Sequence, residues 1–80
     1  MNDQDILARI QDLVDEEHGL LQLEATGPLS DPQQARMRGL QENLDQCWDL
    51  LRQRRARRAA GQNPDEARVR PIQTVEHYLQ

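Results

Sequence analysis

Two stretches decide the fold: Ile6-Leu7-Ala8-Arg9-Ile10-Gln11-Asp12-Leu13-Val14-Asp15-Glu16-Glu17-His18-Gly19-Leu20-Leu21 and Met37-Arg38-Gly39-Leu40-Gln41-Glu42-Asn43-Leu44-Asp45-Gln46-Cys47-Trp48-Asp49-Leu50-Leu51. In the first, Ile6, Ile10, Leu13, Glu17 and Leu20 recur in alternating steps of four and three; in the second, Met37, Leu40, Leu44, Cys47 and Leu51 do the same. That period places each set on one face of a helix. Only the short loop around Gly27-Pro28 separates them. The pattern predicts an all-α chain whose core unit is an antiparallel two-helix hairpin, with helices over about residues 3–25 and 32–60.

Working outward from the seams, the helix ends are marked. Asn2 or Asp3 can cap the first helix, and acids fill its first turn, where carboxylates suit the positive end of the helix dipole. Gly27-Pro28 stops it. Ser30-Asp31-Pro32 offers a capping side chain followed by Pro at the first helical position, and Gly61 ends the second helix. Gly39 inside that helix costs about 1 kcal/mol relative to Ala and is expected to allow a close helix approach opposite Glu17. A turn near Pro28 sets Ile6 against Leu51, Ile10 against Cys47, Leu13 against Leu44 and Leu20 against Met37. Glu17 is the one seam position without an apolar partner.

The hairpin spans residues 1–60 and leaves a tail, residues 61–80. Asn63-Pro64-Asp65-Glu66 reads as a cap, a first-turn Pro and an acid, and predicts a turn or two of helix at 64–69. An extended Arg70-Pro71-Ile72 and a final helical turn are expected to follow. Val69, Ile72, Val75, Tyr78 and Leu79 are too apolar for a mere linker. They either pack across the hairpin or form a docking segment for another molecule.

Composition limits what this unit can be. Of 80 residues only 17 are Leu, Ile or Val, and none is Phe, so the core is thin. Small domains of this kind need a staple. The lone Cys forbids an internal disulfide, and the two His are far apart with no Cys pair to complete a zinc set. Self-association is the remaining staple. Leu7, Val14 and Leu21, spaced by seven beside the first seam, and Trp48 beside the second are apolar surface beyond what two helices need. They are the expected interface, and a homodimer with a four-helix arrangement is the expected assembly.

Other readings compete. Arg52, Arg55, Arg57 and Arg58 belong to a run that could clamp phosphates or an acidic partner. Cations also complement the C-terminal end of a helix, and the hairpin register sets the run beside Asp3 and Asp5. The net charge of −4 and a single Trp and Tyr argue against a nucleic-acid platform, which is kept as the alternative to a protein-interaction module. Glu17 and His18 sit in the densest cluster of potential metal ligands, but the second helix offers no counterparts, so no cofactor is expected. Cys47 lies near the seam as a small hydrophobe. No nucleophile elbow, phosphate loop or triad order is present, so no enzyme is expected. The acidic start and the lack of an apolar run near 20 residues predict a cytoplasmic protein with no membrane partner.

Asp5-Ile6-Leu7 with Glu16-Glu17-His18, the block Leu44-Asp45-Gln46-Cys47-Trp48-Asp49-Leu50-Leu51-Arg52-Gln53-Arg54-Arg55-Ala56, and Arg70-Pro71, Thr74-Val75-Glu76 and Tyr78-Leu79 carry a resemblance over nearly the whole length. The chain resembles a family of short actinobacterial proteins catalogued as a domain of unknown function. The resemblance implies a bacterial cytoplasmic setting and a free-standing protein, and it adds no mechanism.

Overall fold

The computed structural model describes residues 1–79, with side chains described through His77. The side chains of Tyr78 and Leu79, named above for tail docking, lie outside the described ones. Helix α1 covers Asp3–Glu24 and α2 covers Asp31–Ala59. The expected bounds hold to within one residue. Asn2 caps α1 in a capping box: the Asp5 N–H donates to Asn2 Oδ1 at 2.9 Å and the Asn2 N–H to Asp5 Oδ2 at 3.0 Å. Ser30 and Gln33 form the same box at α2, so Pro32 takes the second helical position, not the first.

α2 ends in a Schellman motif. Gly61 adopts φ +71°, its N–H donates to the Arg58 carbonyl at 3.1 Å, and the Gln62 N–H donates to the Arg57 carbonyl at 2.7 Å. A side chain there would strain the left-handed turn, which accounts for glycine.

The core is the meeting of the two seams. Ile6, Ile10 and Leu13 of α1 bury against Leu40, Leu44, Leu50 and Leu51 of α2, with Leu20, Cys47 and Ala67 at its edge. Asp3–Arg54 lies at the expected register and Glu16–Arg36 about one turn off it. Glu17 is half-buried. Gly39 does not mark a close approach: a Cβ there would meet nothing within 4 Å. The bulky seam leucines set the spacing of the helices, and the glycine only leaves space.

The tail departs from expectation in two places. The segment expected to be helical over 64–69 is a single 3-10 turn, Pro64–Glu66, capped by the Asn63 side chain. Ile72, expected to be extended, opens an eight-residue helix α3, Ile72–Leu79. The Pro71 carbonyl receives the N–H groups of Thr74 and Val75 at 3.0 and 3.2 Å, so Pro71 stands just outside the helix and its missing N–H costs nothing. Among the described residues the 3-10 turn and α3 pack on α2 and not on α1. Val75 is fully buried, Ile72 half-buried and Val69 exposed. The chain measures 50 × 25 × 16 Å. Among the described residues, no helix is long and apolar enough to cross a membrane.

Candidate functional site

The two long edges of the hairpin differ in chemistry. One carries a recess of about 210 Å³ lined by Ile6, Arg9, Asn43, Cys47 and Leu50, with Met1 and Val69 at its rim, and beyond it the Glu16–Arg36 ion pair. Arg36 Nη2 donates to Glu16 Oε1 at 2.7 Å, and its Nε also donates to that carboxylate. The Arg36 guanidinium holds the Glu16 carboxyl below its ordinary range. Cys47 looks onto the recess, and burial pushes its thiol pKa up, so it is a poor nucleophile.

The opposite edge is apolar. Each helical residue advances about 100°, so Leu7, Val14 and Leu21 fall about 80° from the α1 seam on the side away from Arg9. Trp48, one residue past Cys47, turns α2 toward that same side. The antiparallel arrangement brings both sets to one face. Leu7, Val14, Leu21 and Trp48 are 41%, 39%, 47% and 46% exposed. The four residues expected to form an interface therefore share one face and remain accessible.

The open end of the hairpin is ionic. Arg54 is only 6% exposed, and its Nε donates to Asp3 Oδ1 at 2.5 Å. Its Nη1 donates to Asp65 Oδ1 at 3.0 Å and to the Pro64 carbonyl at 3.2 Å. Arg58 holds the second oxygen of Asp3 at 2.5 Å, and Arg57 lies 3.5 Å from Glu66. Arg54 and Arg58 together hold the Asp3 carboxyl below its usual range. Asp5, expected beside this run, serves the α1 capping box instead. Of the four arginines named as a partner or phosphate face, Arg52, Arg57 and Arg58 face acids within the chain. Arg55 is exposed without an ion pair among the described residues.

Sequence reasoning missed the most buried charge. Asp49 has no exposed surface, yet it accepts hydrogen bonds from the Gln53 Nε2 and from both Nε and Nη2 of Arg70. Gln46 and Gln53 donate to the Arg70 and Arg68 carbonyls at 3.2 and 2.8 Å, fastening the extended strap to α2. The available signal was Asp49, Gln53 and Gln46, at steps of three and four on the outer face of α2, facing a tail rich in Arg.

Glu17 and His18 do not converge with other ligands. His18 is exposed with its ring nitrogen 3.3 Å from Gln22 Nε2, and no group of three His, Cys, Asp or Glu residues suited to a metal exists among the described residues.

Fold and surface therefore define a class: a small all-α hairpin with a docked C-terminal strap, one apolar edge and one ionic end. The chain belongs to the family described as "Protein of unknown function (DUF2630)", whose model matches residues 2–80. It is 51% identical over 77 residues to uncharacterized protein Rv0898c of Mycobacterium tuberculosis (strain H37Rv), covering 95% of this chain and 88% of the relative. The same figures hold for uncharacterized protein Mb0922c of Mycobacterium bovis. No solved structure matches the chain.

Proposed function

We propose that this protein is a non-enzymatic helix-association module, an adaptor or small regulator that works through the face formed by Leu7, Val14, Leu21 and Trp48. One observation carries the reading. The hairpin already has a closed seam, yet four large apolar side chains remain about two-fifths exposed on a single face. Apolar surface gathered in this way on a small protein marks association.

The nucleic-acid alternative has less support. The arginine run is largely occupied by Asp3, Asp49 and Glu66, and the net charge is −4. A phosphate-binding surface needs cations free to release counterions.

A photo-reactive residue placed at Val14 tests the reading in cells, with the same residue at Asp12, on another face of α1, as control. Adducts to protein at position 14 and not at position 12 are the expected result. Equal labelling at both, or none at 14, would overturn the association face.

A further inference from the structure

We infer that the occupant of this face is a second copy of the chain, with its α1 antiparallel to the first α1 about a two-fold axis at Val14. The inference rests on the association-module reading and names its partner.

A second seam runs along the exposed side of α1. Gln4, Leu7, Gln11, Val14, His18 and Leu21 recur in alternating steps of three and four, the pattern that faces another helix. None is Asp, Glu, Lys or Arg. Seven of the eight charged residues of this 22-residue helix lie off the seam, and the eighth, Asp3 at its N-terminal end, is neutralised by Arg54 and Arg58. A helix of that charge density with one line kept neutral fits a partner that is itself neutral along its contact line, and another α1 is such a helix.

The spacing is also self-complementary. Leu7 and Leu21 are equidistant from Val14, so antiparallel pairing sets Leu7 against Leu21 of the second copy, Val14 against Val14, and Gln11 beside His18. That is the isologous relation a two-fold dimer requires. Pairing α1 with α2 of a second copy instead would oppose Val14 and Leu21 to the level of Gln41 and Gln34, so only Trp48 would meet an apolar residue.

Dimensions agree. A hairpin of two helices buries one stripe of each, and the stripe of Leu7, Val14 and Leu21 is left about two-fifths exposed. Even the chain's narrower long side, 50 × 16 Å, matches the roughly 800 Å² per partner of a standard interface. Stacked on its copy, the hairpin becomes a four-helix arrangement with Trp48 flanking the α1 pair.

The test combines mass with disulfide mapping in a Cys47→Ser background. Light scattering should give a mass near twice 9.3 kDa that falls on dilution. Val14→Cys should oxidise to a disulfide dimer, because residues at the axis come within the roughly 4.4–6.8 Å Cα separation a disulfide spans. Leu7→Cys alone should not, whereas Leu7→Cys mixed with Leu21→Cys should. Val14→Glu, at a site already 39% exposed, should keep its helicity and weaken association at least about 100-fold, since it sets two carboxylates against each other at the axis.

A monomer at every concentration with no Val14→Cys disulfide overturns the second copy. If position 14 still labels another protein in cells, the association reading survives that failure. A dimer in which Leu7→Cys links to itself is parallel, and a dimer without a Val14→Cys link uses another face; either result overturns the inference.

Discussion

The guanidinium of Arg70 clamps the fully buried carboxylate of Asp49, with Nε donating to Oδ2 at 2.9 Å and Nη2 donating to Oδ1. This pair, with Val75, docks the strap on α2. Breaking a buried ion pair by removing one partner costs about 3–5 kcal/mol when the remaining charge stays dry. Asp49 lies under the strap and rehydrates if the strap lifts, so the loss is limited to the docking energy. Arg70→Ala should therefore release α3, Ile72–Leu79, and spare the hairpin and the turn that Arg54 holds. Hydrogen exchange is the measurement: amides of α3 should lose protection while those of Leu13 and Leu40 keep theirs. Uniform loss through α1 and α2 would show instead that the strap is integral to the hairpin core.

Acid should weaken the fold from a definite point. The Asp49 carboxyl is held below its ordinary value of 3.8 chiefly by Arg70, Asp3 by Arg54 and Arg58, and Glu16 below 4.5 by Arg36. Between the lowered and the ordinary values the unfolded chain binds more protons than the native one, so stability rises with pH there. The contribution is complete above about pH 5 and is lost as pH falls through the lowered values. Urea midpoints should be level from pH 7 to about 5 and decline below about 4. In Asp49→Asn the decline should be shallower; an unchanged decline would remove Asp49 from the account.

The hairpin was legible because a seam is a periodic signal. Ile6 to Leu20 and Met37 to Leu51 repeat in register with the helix, and Ser30, Gly27 and Gly61 punctuate them. The face of Leu7, Val14, Leu21 and Trp48 was legible for the same reason, as surplus to that period. Asp49 was missed because its burial depends on Arg70, 21 residues away, and the line of Gln46, Asp49 and Gln53 by itself reads as an ordinary polar face. Arg54 was hidden differently. It reads as one more cation in a run, and only the convergence of Asp3, Asp65 and the Pro64 carbonyl separates it from exposed Arg55. The tail helix was misplaced by one residue's reading: Pro71 bars a helix before it but favours one after it.

Gly39 offers a gain in stability. It sits inside α2, and an added Cβ meets nothing within 4 Å. Ala is better than Gly in a helix interior by about 1 kcal/mol, through lower chain entropy in the unfolded state. Gly39→Ala should raise Tm by about 4–8 °C, as that energy does in a domain of this size. A fall in Tm would mean that this side of α2 is covered in solution by something a methyl group disturbs.

Arg54 separates a stabilising node from a decorative one. It joins α1, α2 and the 3-10 turn at once, and it is nearly buried, unlike its acceptors: the side chain of Asp3 is 34% exposed and that of Asp65 71% exposed. Truncation therefore leaves acids that water can reach, and Asp3 keeps Arg58. The loss should be moderate, about 1–3 kcal/mol for Arg54→Ala, in the range of charge-assisted hydrogen bonds rather than of a stranded buried ion. Arg54→Met keeps the packed stem and should lose less than Arg54→Ala. Arg54→Lys retains the charge but not the planar fork that reaches Asp3 and Asp65 together, so it should fall short of wild type. A double-mutant cycle of Arg54→Met with Asp3→Asn isolates the pair, and a coupling of about 1 kcal/mol is expected. Coupling near zero would mean that Arg54 contributes through its stem alone, and that the ionic end of the hairpin is held by Arg58.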